Sequence, residues 1–147
     1  MNDALVGSSY PPVERYEVCA AKIAEFAAAT GASSPLHVDR DAARAAGYGD
    51  VVAPPTFAVV VAQRAEGSYI NDPASGIDFS RVVHADEAFA HHRPIVAGDV
   101  LATTVHVESI THRGGISMVT TRAEIVDAAG EPVSTVRSTL AVRGADA

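Results

Sequence analysis

The second half of the chain alternates between apolar and polar residues with a period of two. One face of this pattern carries Leu101, Thr103, Val105 and Val107. Such alternation predicts a half-buried strand, and it recurs over 119–125 and 136–142. Glycine-containing turns at 113–115 and 128–130 separate the three segments. We therefore expect an antiparallel meander, with a fourth strand over 81–92 that ends before Pro94.

The first half of the chain instead has a helical period. After a short strand at 16–18, apolar residues spaced at i, i+3, i+4 and i+7 predict an amphipathic helix: Ile23, Phe26, Ala27 and Thr30. Gly31 is a typical C-terminal stop. A second, short helix is expected over 39–46, with Asp39 as its N-cap.

A third helix is predicted after Pro54 and Pro55. The run 57–62 is apolar on all sides, and polar residues return before Gly67, where we expect the helix to end. The valines in this run would also suit a strand. Proline at the first helical position and a span of about twelve residues favour a helix. A helix this apolar should be buried along most of its length.

Together these elements predict an α+β domain in which an antiparallel sheet wraps around one central helix. The 147 residues, 48% of them hydrophobic, are enough for one compact core, so 1–147 is read as a single domain. Periodicity alone does not distinguish this arrangement from other α+β folds.

The net charge and the cysteine content exclude some classes of function. The formal net charge of −7 argues against nucleic-acid binding, because no cationic field is available to hold phosphates. Cys19 is the only cysteine, which excludes an intramolecular disulfide and fits the reducing cytoplasm. No window approaches the roughly 20 apolar residues of a membrane span, and the N-terminus does not resemble a signal peptide.

Three stretches resemble a known family. They are Tyr16-Glu17-Val18 with the following helix, Val52-Ala53-Pro54-Pro55-Thr56-Phe57, and the segment from Phe89 to Asp99. On these residues the chain resembles the MaoC-like (R)-specific hydratases and dehydratases, which have the hot-dog fold. Within that group it is most similar to the HadA-type subunit of (3R)-hydroxyacyl-ACP dehydratase, also described as a FAS1-like dehydratase domain.

The resemblance implies a catalytic segment at 31–37. Catalytic members carry Gly-Asp-x-Asn-Pro-Leu-His, and this chain has Gly31-Ala32-Ser33-Ser34-Pro35-Leu36-His37. His37 is retained as the candidate base, since an imidazole titrates near neutral pH. Ala32 replaces the family's Asp, and Ser34, in place of the Asn, is a weaker candidate that could orient a water. The alternative for His37 is a histidine that is merely hydrogen-bonded in a loop.

A second departure lies at the start of the central helix. Family members usually have His-Gly there, and backbone N–H groups polarise the thioester carbonyl. Prolines have no N–H, so only the Thr56 and Phe57 N–H groups remain as candidates. Val60 is a further candidate for acyl contact, although core packing is the simpler explanation for the valines of this helix.

Two other groups have competing interpretations. Arg93 could steer a carrier phosphate, or it could simply belong to the end of a strand. His91 and His92, with His84, could suggest a metal, but adjacent strand residues point to opposite faces, so no metal site is predicted. His106 and His112 are expected on a solvated strand face and in a turn.

The resemblance implies a (3R)-hydroxyacyl-thioester dehydratase or enoyl hydratase of fatty-acid metabolism, acting on acyl-CoA or acyl-ACP without a cofactor. It also implies a homodimer, or a heterodimer with a catalytic hot-dog subunit that supplies the complete dyad. The alternative is a non-catalytic acyl-thioester-binding subunit or regulatory module. A hot-dog thioesterase is disfavoured, because 54–61 has no carboxylate to act as base or nucleophile.

Overall fold

The fold is a six-stranded antiparallel sheet around one buried helix. We describe residues 1–144 of a computed structural model. The strands are β1 (Ser9–Tyr10), β2 (Tyr16–Glu17), β3 (Val82–His91), β4 (Val100–Arg113), β5 (Ile116–Val126) and β6 (Pro132–Arg143). Their order is β1-β4-β5-β6-β3, with β2 also paired to β4. The predicted meander is β4-β5-β6, and the predicted fourth strand, β3, lies at its far edge.

Three α-helices precede most of the sheet: α1 (Ala20–Thr30), α2 (Arg40–Ala45) and α3 (Ala58–Ile70). Gly31 ends α1 in the left-handed conformation, with φ of 71°. Asp39 caps α2 as predicted, since its Oδ1 accepts the N–H groups of Asp41 and Ala42 at 2.9 and 3.1 Å. None of the helices within 1–144 is long and apolar enough to cross a bilayer.

The core lies between α3 and the inner face of the sheet. Phe57 and Ala58 are fully buried there, and Phe57 meets the ring of Phe26 edge-on at 5.4 Å. The predicted inward face of β4 is confirmed, because all four of its residues are buried: Leu101, Thr103, Val105 and Val107. The chain therefore has the α+β arrangement expected from its periodicity.

Two sequence-based expectations were incomplete. Gly67 does not end α3, which continues for three more residues to Ile70. Tyr69 is fully buried against Val107, Val119 and Val142, and this packing outweighs the low helix propensity of glycine. The strand β1 was not expected, because two residues are too few to establish a period.

Candidate active site

His37 is positioned by a short segment between α1 and α2. After Gly31 the chain enters a 3-10 helix, Pro35–His37, with Ser34 at its N-cap. The Ser34 hydroxyl accepts the Leu36 N–H at 3.4 Å, and Pro35 occupies a position where a missing N–H costs nothing. The sequence thus fixes the local turn that carries the histidine.

One backbone hydrogen bond orients the His37 ring. Its Nδ1 lies 2.6 Å from the carbonyl oxygen of Val52, and the side chain is buried. A carbonyl only accepts hydrogen bonds, so Nδ1 must carry the proton. In the neutral ring Nε2 is then an unprotonated acceptor, which is the form that a general base requires.

His37 lines an open cleft of about 430 Å³. The other walls come from the segment before α3, from the end of β3 with the residues after it, and from the loop after α2: Val52, Ala53, Pro54, Pro55, His91, His92, Arg93, Pro94, Ile95 and Tyr48. Within residues 1–144 no Asp or Glu lines this cleft. The cleft therefore combines an imidazole with apolar walls but has no carboxylate among the described residues, as expected from Ala32 at the position of the family's Asp.

The other predicted residues are not all at this cleft. Arg93 lines it, whereas Ser34, Thr56, Phe57 and Val60 are not among its walls. The Ser34 hydroxyl is occupied by its capping bond to Leu36. Val60 is half-buried against the core, as expected of a core valine.

The start of α3 offers fewer donors than the sequence suggested. A 3-10 turn, Pro55–Phe57, leads into α3, and the Phe57 N–H is taken by the Pro54 carbonyl at 2.9 Å. The Phe57 side chain is fully buried, so the structure places this residue in the core and not on a binding surface. Thr56 is exposed, and its N–H is the remaining candidate for polarising a carbonyl.

Arg93 is held by two carboxylates. Its guanidinium makes a bidentate pair with Asp99 at 2.8 and 3.0 Å and reaches Asp127 at 3.4 Å. The hydrogen bond to Asp99 raises the pKa of Arg93 above its usual value. A substrate phosphate would have to displace these partners, so the observed contacts fit the strand-end interpretation of Arg93.

His91 and His92 do not point to opposite faces of one strand, as the sequence had suggested. β3 ends at His91, so the alternation of a strand does not extend to His92, and both residues line the same cleft. His91 lies 3.0 Å from the Ser134 hydroxyl and stacks against Phe89. Even so, no group of three His, Cys, Asp or Glu side chains among residues 1–144 is arranged to hold a metal ion.

A second polar site, which the sequence patterns did not lead us to predict, lies beside α3. Glu66 is almost fully buried, accepts the Thr121 hydroxyl at 2.7 Å and lines a separate cleft of about 450 Å³. Glu87 of β3 accepts the Ser138 hydroxyl at 2.9 Å. A usable signal was present, because Ala58, Ala62 and Glu66 recur every four residues on the core face of α3.

Burial has an electrostatic consequence at Glu87. Removal from water raises the pKa of Glu87, the Ser138 hydrogen bond lowers it by less, and the Glu66 carboxylate raises it further. Its Oε2 is buried and has no hydrogen-bond partner among the described residues. The nearest cationic candidate is His84, whose Nε2 lies 3.7 Å away.

The chain is similar to known proteins along nearly its whole length. The family model of the FAS1-like dehydratase domain region matches residues 4–136. A UPF0336 protein of Saccharopolyspora erythraea is 53% identical over 98% of this chain and 92% of its own length.

Two solved structures show the same architecture. A MaoC-like dehydratase is 34% identical with a TM-score of 0.87, over 98% of this chain and 44% of that chain. The C-terminally truncated HadBC (3R-hydroxyacyl-ACP dehydratase) complex of Mycobacterium tuberculosis is 28% identical with a TM-score of 0.83, over 93% of this chain and 96% of that chain. The sheet and central helix described above are therefore those of the hot-dog fold.

Proposed function

Because the chain belongs to the FAS1-like dehydratase domain family with its MaoC-like hot-dog fold, we propose that it acts on (3R)-hydroxyacyl thioesters. The reaction is dehydration to the enoyl thioester, or its reverse. The observation that carries this proposal is the His37 ring, fixed by the Val52 carbonyl with Nε2 left as acceptor in a cleft. Elimination of water is redox-neutral and needs no cofactor.

In the proposed reaction, His37 Nε2 takes the proton from C2 of the substrate. The electron pair of that C–H bond forms the double bond as the C3–O bond breaks. In a syn elimination the hydroxyl leaves on the same face, so the imidazolium formed at His37 can return the proton to it as water. The Thr56 N–H is the proposed donor to the thioester carbonyl.

A second candidate is an acyl-thioester-binding subunit with little activity of its own. The observation that favours it is the absence of a carboxylate from the cleft walls within 1–144. In this case a second hot-dog chain supplies a complete Asp and His, and this chain contributes acyl binding as a HadA-type subunit. In either case, we place the protein in the reducing cytoplasm, in keeping with its exposed, unpaired Cys19.

Thioester hydrolysis is a poorer fit. Glu66 is the buried carboxylate of the central helix, but it lies eight residues after Ala58, about 12 Å along the helix axis. It also lines a different cleft from His37. A thioester at the start of α3 would therefore be out of its reach.

The test is hydration of crotonyl-CoA and longer enoyl thioesters by the purified chain. We expect His37→Gln to lower turnover by about 10² to 10⁴, and His112→Gln, on the exposed end of β4, to leave it unchanged. Circular dichroism checks that both variants fold. An unchanged rate in folded His37→Gln contradicts the catalytic role.

Binding measurements separate the two candidates. An inactive chain that binds enoyl-CoA and increases the activity of an added catalytic hot-dog subunit supports the binding-subunit function. A chain that neither hydrates nor binds any acyl thioester rules out both candidates.

A further inference from the structure

The His37 cleft contains a proposed base but, among the described residues, no carboxylic acid to protonate a leaving hydroxyl. Besides His37, its walls include four side chains with a dissociable proton: Tyr48, His91, His92 and Arg93. A guanidinium keeps its proton in proteins, and that of Arg93 is already bound by two carboxylates. A phenol is a weaker acid than an imidazolium ion, so the two neighbouring histidines are the better donors at neutral pH.

Of these two histidines, His91 is the one with a fixed ring. It is the last residue of β3 and lies directly opposite Ser134 of β6. Its Nδ1 is 3.0 Å from the Ser134 hydroxyl, and its ring stacks on Phe89 with 14° between the two planes. Within residues 1–144, His92 is held only through its backbone N–H, which donates to the Val133 carbonyl at 2.9 Å. Because acid catalysis requires a positioned donor, His91 is the stronger candidate.

The hydrogen bonds around Ser134 are compatible with a protonated His91. The buried Ser134 hydroxyl donates to the Ala90 carbonyl at 3.4 Å, so its oxygen can accept the N–H of His91 Nδ1. Nε2 then carries the proton that is exchanged, and the exposed ring can regain it from solvent. His91 thus repeats the arrangement of His37, in which the framework holds Nδ1 and Nε2 is the reacting nitrogen.

We propose that His91 is the general acid of the dehydration and performs the step for which catalytic family members use their Asp. This inference rests on the proposed function, because it assigns a second catalytic residue to the same reaction. An imidazole can serve in this way because it exchanges a proton near neutral pH.

The proton transfers are then divided between two rings. His37 Nε2 takes the proton from C2, and the electron pair of that C–H bond forms the double bond. As the C3–O bond breaks, the leaving oxygen takes the Nε2 proton of His91 and departs as water. His37 ends protonated and His91 neutral, and one proton exchanged with solvent at each ring restores the starting state. Hydration is the reverse sequence.

The test compares two substrates with different leaving groups. (3R)-Hydroxybutyryl-CoA needs a proton on its leaving oxygen, whereas 3-chlorobutyryl-CoA loses chloride, which departs with the C–Cl electron pair and needs no proton. We expect His91→Gln to lower turnover of the hydroxy substrate by about 10² to 10⁴ and to leave turnover of the chloro substrate unchanged. His37→Gln should lower both rates, since both substrates lose their C2 proton to His37.

Ser134→Ala provides a second measurement in case His91→Gln does not fold. It removes the acceptor of His91 Nδ1 but keeps the imidazole, so turnover of the hydroxy substrate should fall by about tenfold, the effect of one hydrogen bond. The chloro substrate should again be unaffected. The matched control is His84→Gln, which lies on the same strand but lines the separate cleft, and it should change neither rate. Circular dichroism checks the fold of each variant.

The outcomes separate this assignment from the proposed function. Equal losses on both substrates in folded His91→Gln would indicate a structural role and overturn the assignment, as would an unchanged rate on the hydroxy substrate. A native chain that eliminates neither water nor chloride would instead overturn the proposed dehydratase function, and the assignment of His91 with it.

Discussion

At the scale of single residues, the candidate site has an oriented histidine, the proposed base His37, and no carboxylate among its described walls. The Val52 carbonyl holds His37 in one tautomer, so the base does not depend on a carboxylate for its orientation. Ala32 is half-buried, and its N–H is bonded to the Ala27 carbonyl at 2.9 Å. The backbone at the missing acid is thus anchored although the acid itself is absent.

This anchoring leads to a gain-of-function prediction. The double substitution Ala32→Asp and Ser34→Asn should raise the rate of crotonyl-CoA hydration by up to about 10² to 10⁴, because it returns a general acid near His37. Asn is also an effective N-cap, so the 3-10 turn should survive. The matched control is Ala32→Asn with Ser34→Asn, which has nearly the same shape but no acid. Equal rates in the two folded variants would show that more than the acid is missing.

Glu87 gives a prediction about pH at the same scale. Its folded pKa is raised above the ordinary 4.5, mainly by burial. The folded state therefore holds this proton more strongly, and the resulting stability is present below the unfolded pKa and lost as pH rises through the folded value. We expect Glu87→Gln to raise the melting temperature at neutral pH relative to the native protein, with a smaller gain in mild acid.

Thermal unfolding across the range from about pH 4.5 to 8 measures this difference. Glu131→Gln, an exposed residue in the β5–β6 turn, is the control and should follow the native protein. A difference in melting temperature between Glu87→Gln and the native protein that does not change with pH would contradict the raised pKa of Glu87 as its cause.

At the scale of elements, the start of α3 is the proposed place where the thioester carbonyl is polarised. Pro54 and Pro55 help to start the helix, but they remove two backbone donors at its N-terminus. The Phe57 N–H is used within the turn. The central helix α3 therefore offers few free backbone N–H donors at its N-terminus.

Restoring a donor should therefore increase activity. Pro55→Ala keeps the size small and adds one N–H, and we expect turnover of enoyl thioesters to rise by up to about 10² to 10³, the usual effect of one such donor. Steady-state hydration measures the gain. Pro94→Ala, in the same cleft but away from α3, is the control. No gain in a folded Pro55→Ala variant would mean that the carbonyl does not bind at this end of α3.

At the scale of the whole molecule, Arg93 links segments that are far apart in the sequence. It follows the end of β3 and binds Asp99 before β4 and Asp127 after β5. These pairs hold one wall of the His37 cleft against the sheet. The cleft therefore depends on a contact that no local pattern describes.

We expect Arg93→Met to lower the free energy of unfolding by about 1 to 3 kcal/mol, since it removes the cationic partner of the partly buried Asp99 carboxylate, which keeps only the Val96 N–H as a donor. Arg93→Lys should recover only part of this, because an ammonium cannot form the bidentate pair. Urea denaturation gives both values, with the exposed Arg113→Met as control. Stability unchanged in Arg93→Met would refute the structural role.

The sequence by itself determined most of the helices and strands, and the turn that carries His37. Alternation set the inward faces of β4, β5 and β6, and helical spacing set α1, because both periods follow from backbone geometry over a few residues. For α3 the prolines at its start and the length of the apolar run indicated a helix. The turn that presents His37 is equally local, since Gly31, Ser34 and Pro35 each act on neighbouring backbone groups.

Only the tertiary structure decided which residues meet. It brought His91 and Tyr48 to the His37 cleft, gave Arg93 its carboxylate partners, placed Glu66 near Glu87 and extended α3 past Gly67. Each of these outcomes depends on packing between segments distant in the sequence. Local propensity and periodicity contain no information about such contacts, so they fixed the strands and helices but not the chemistry between them.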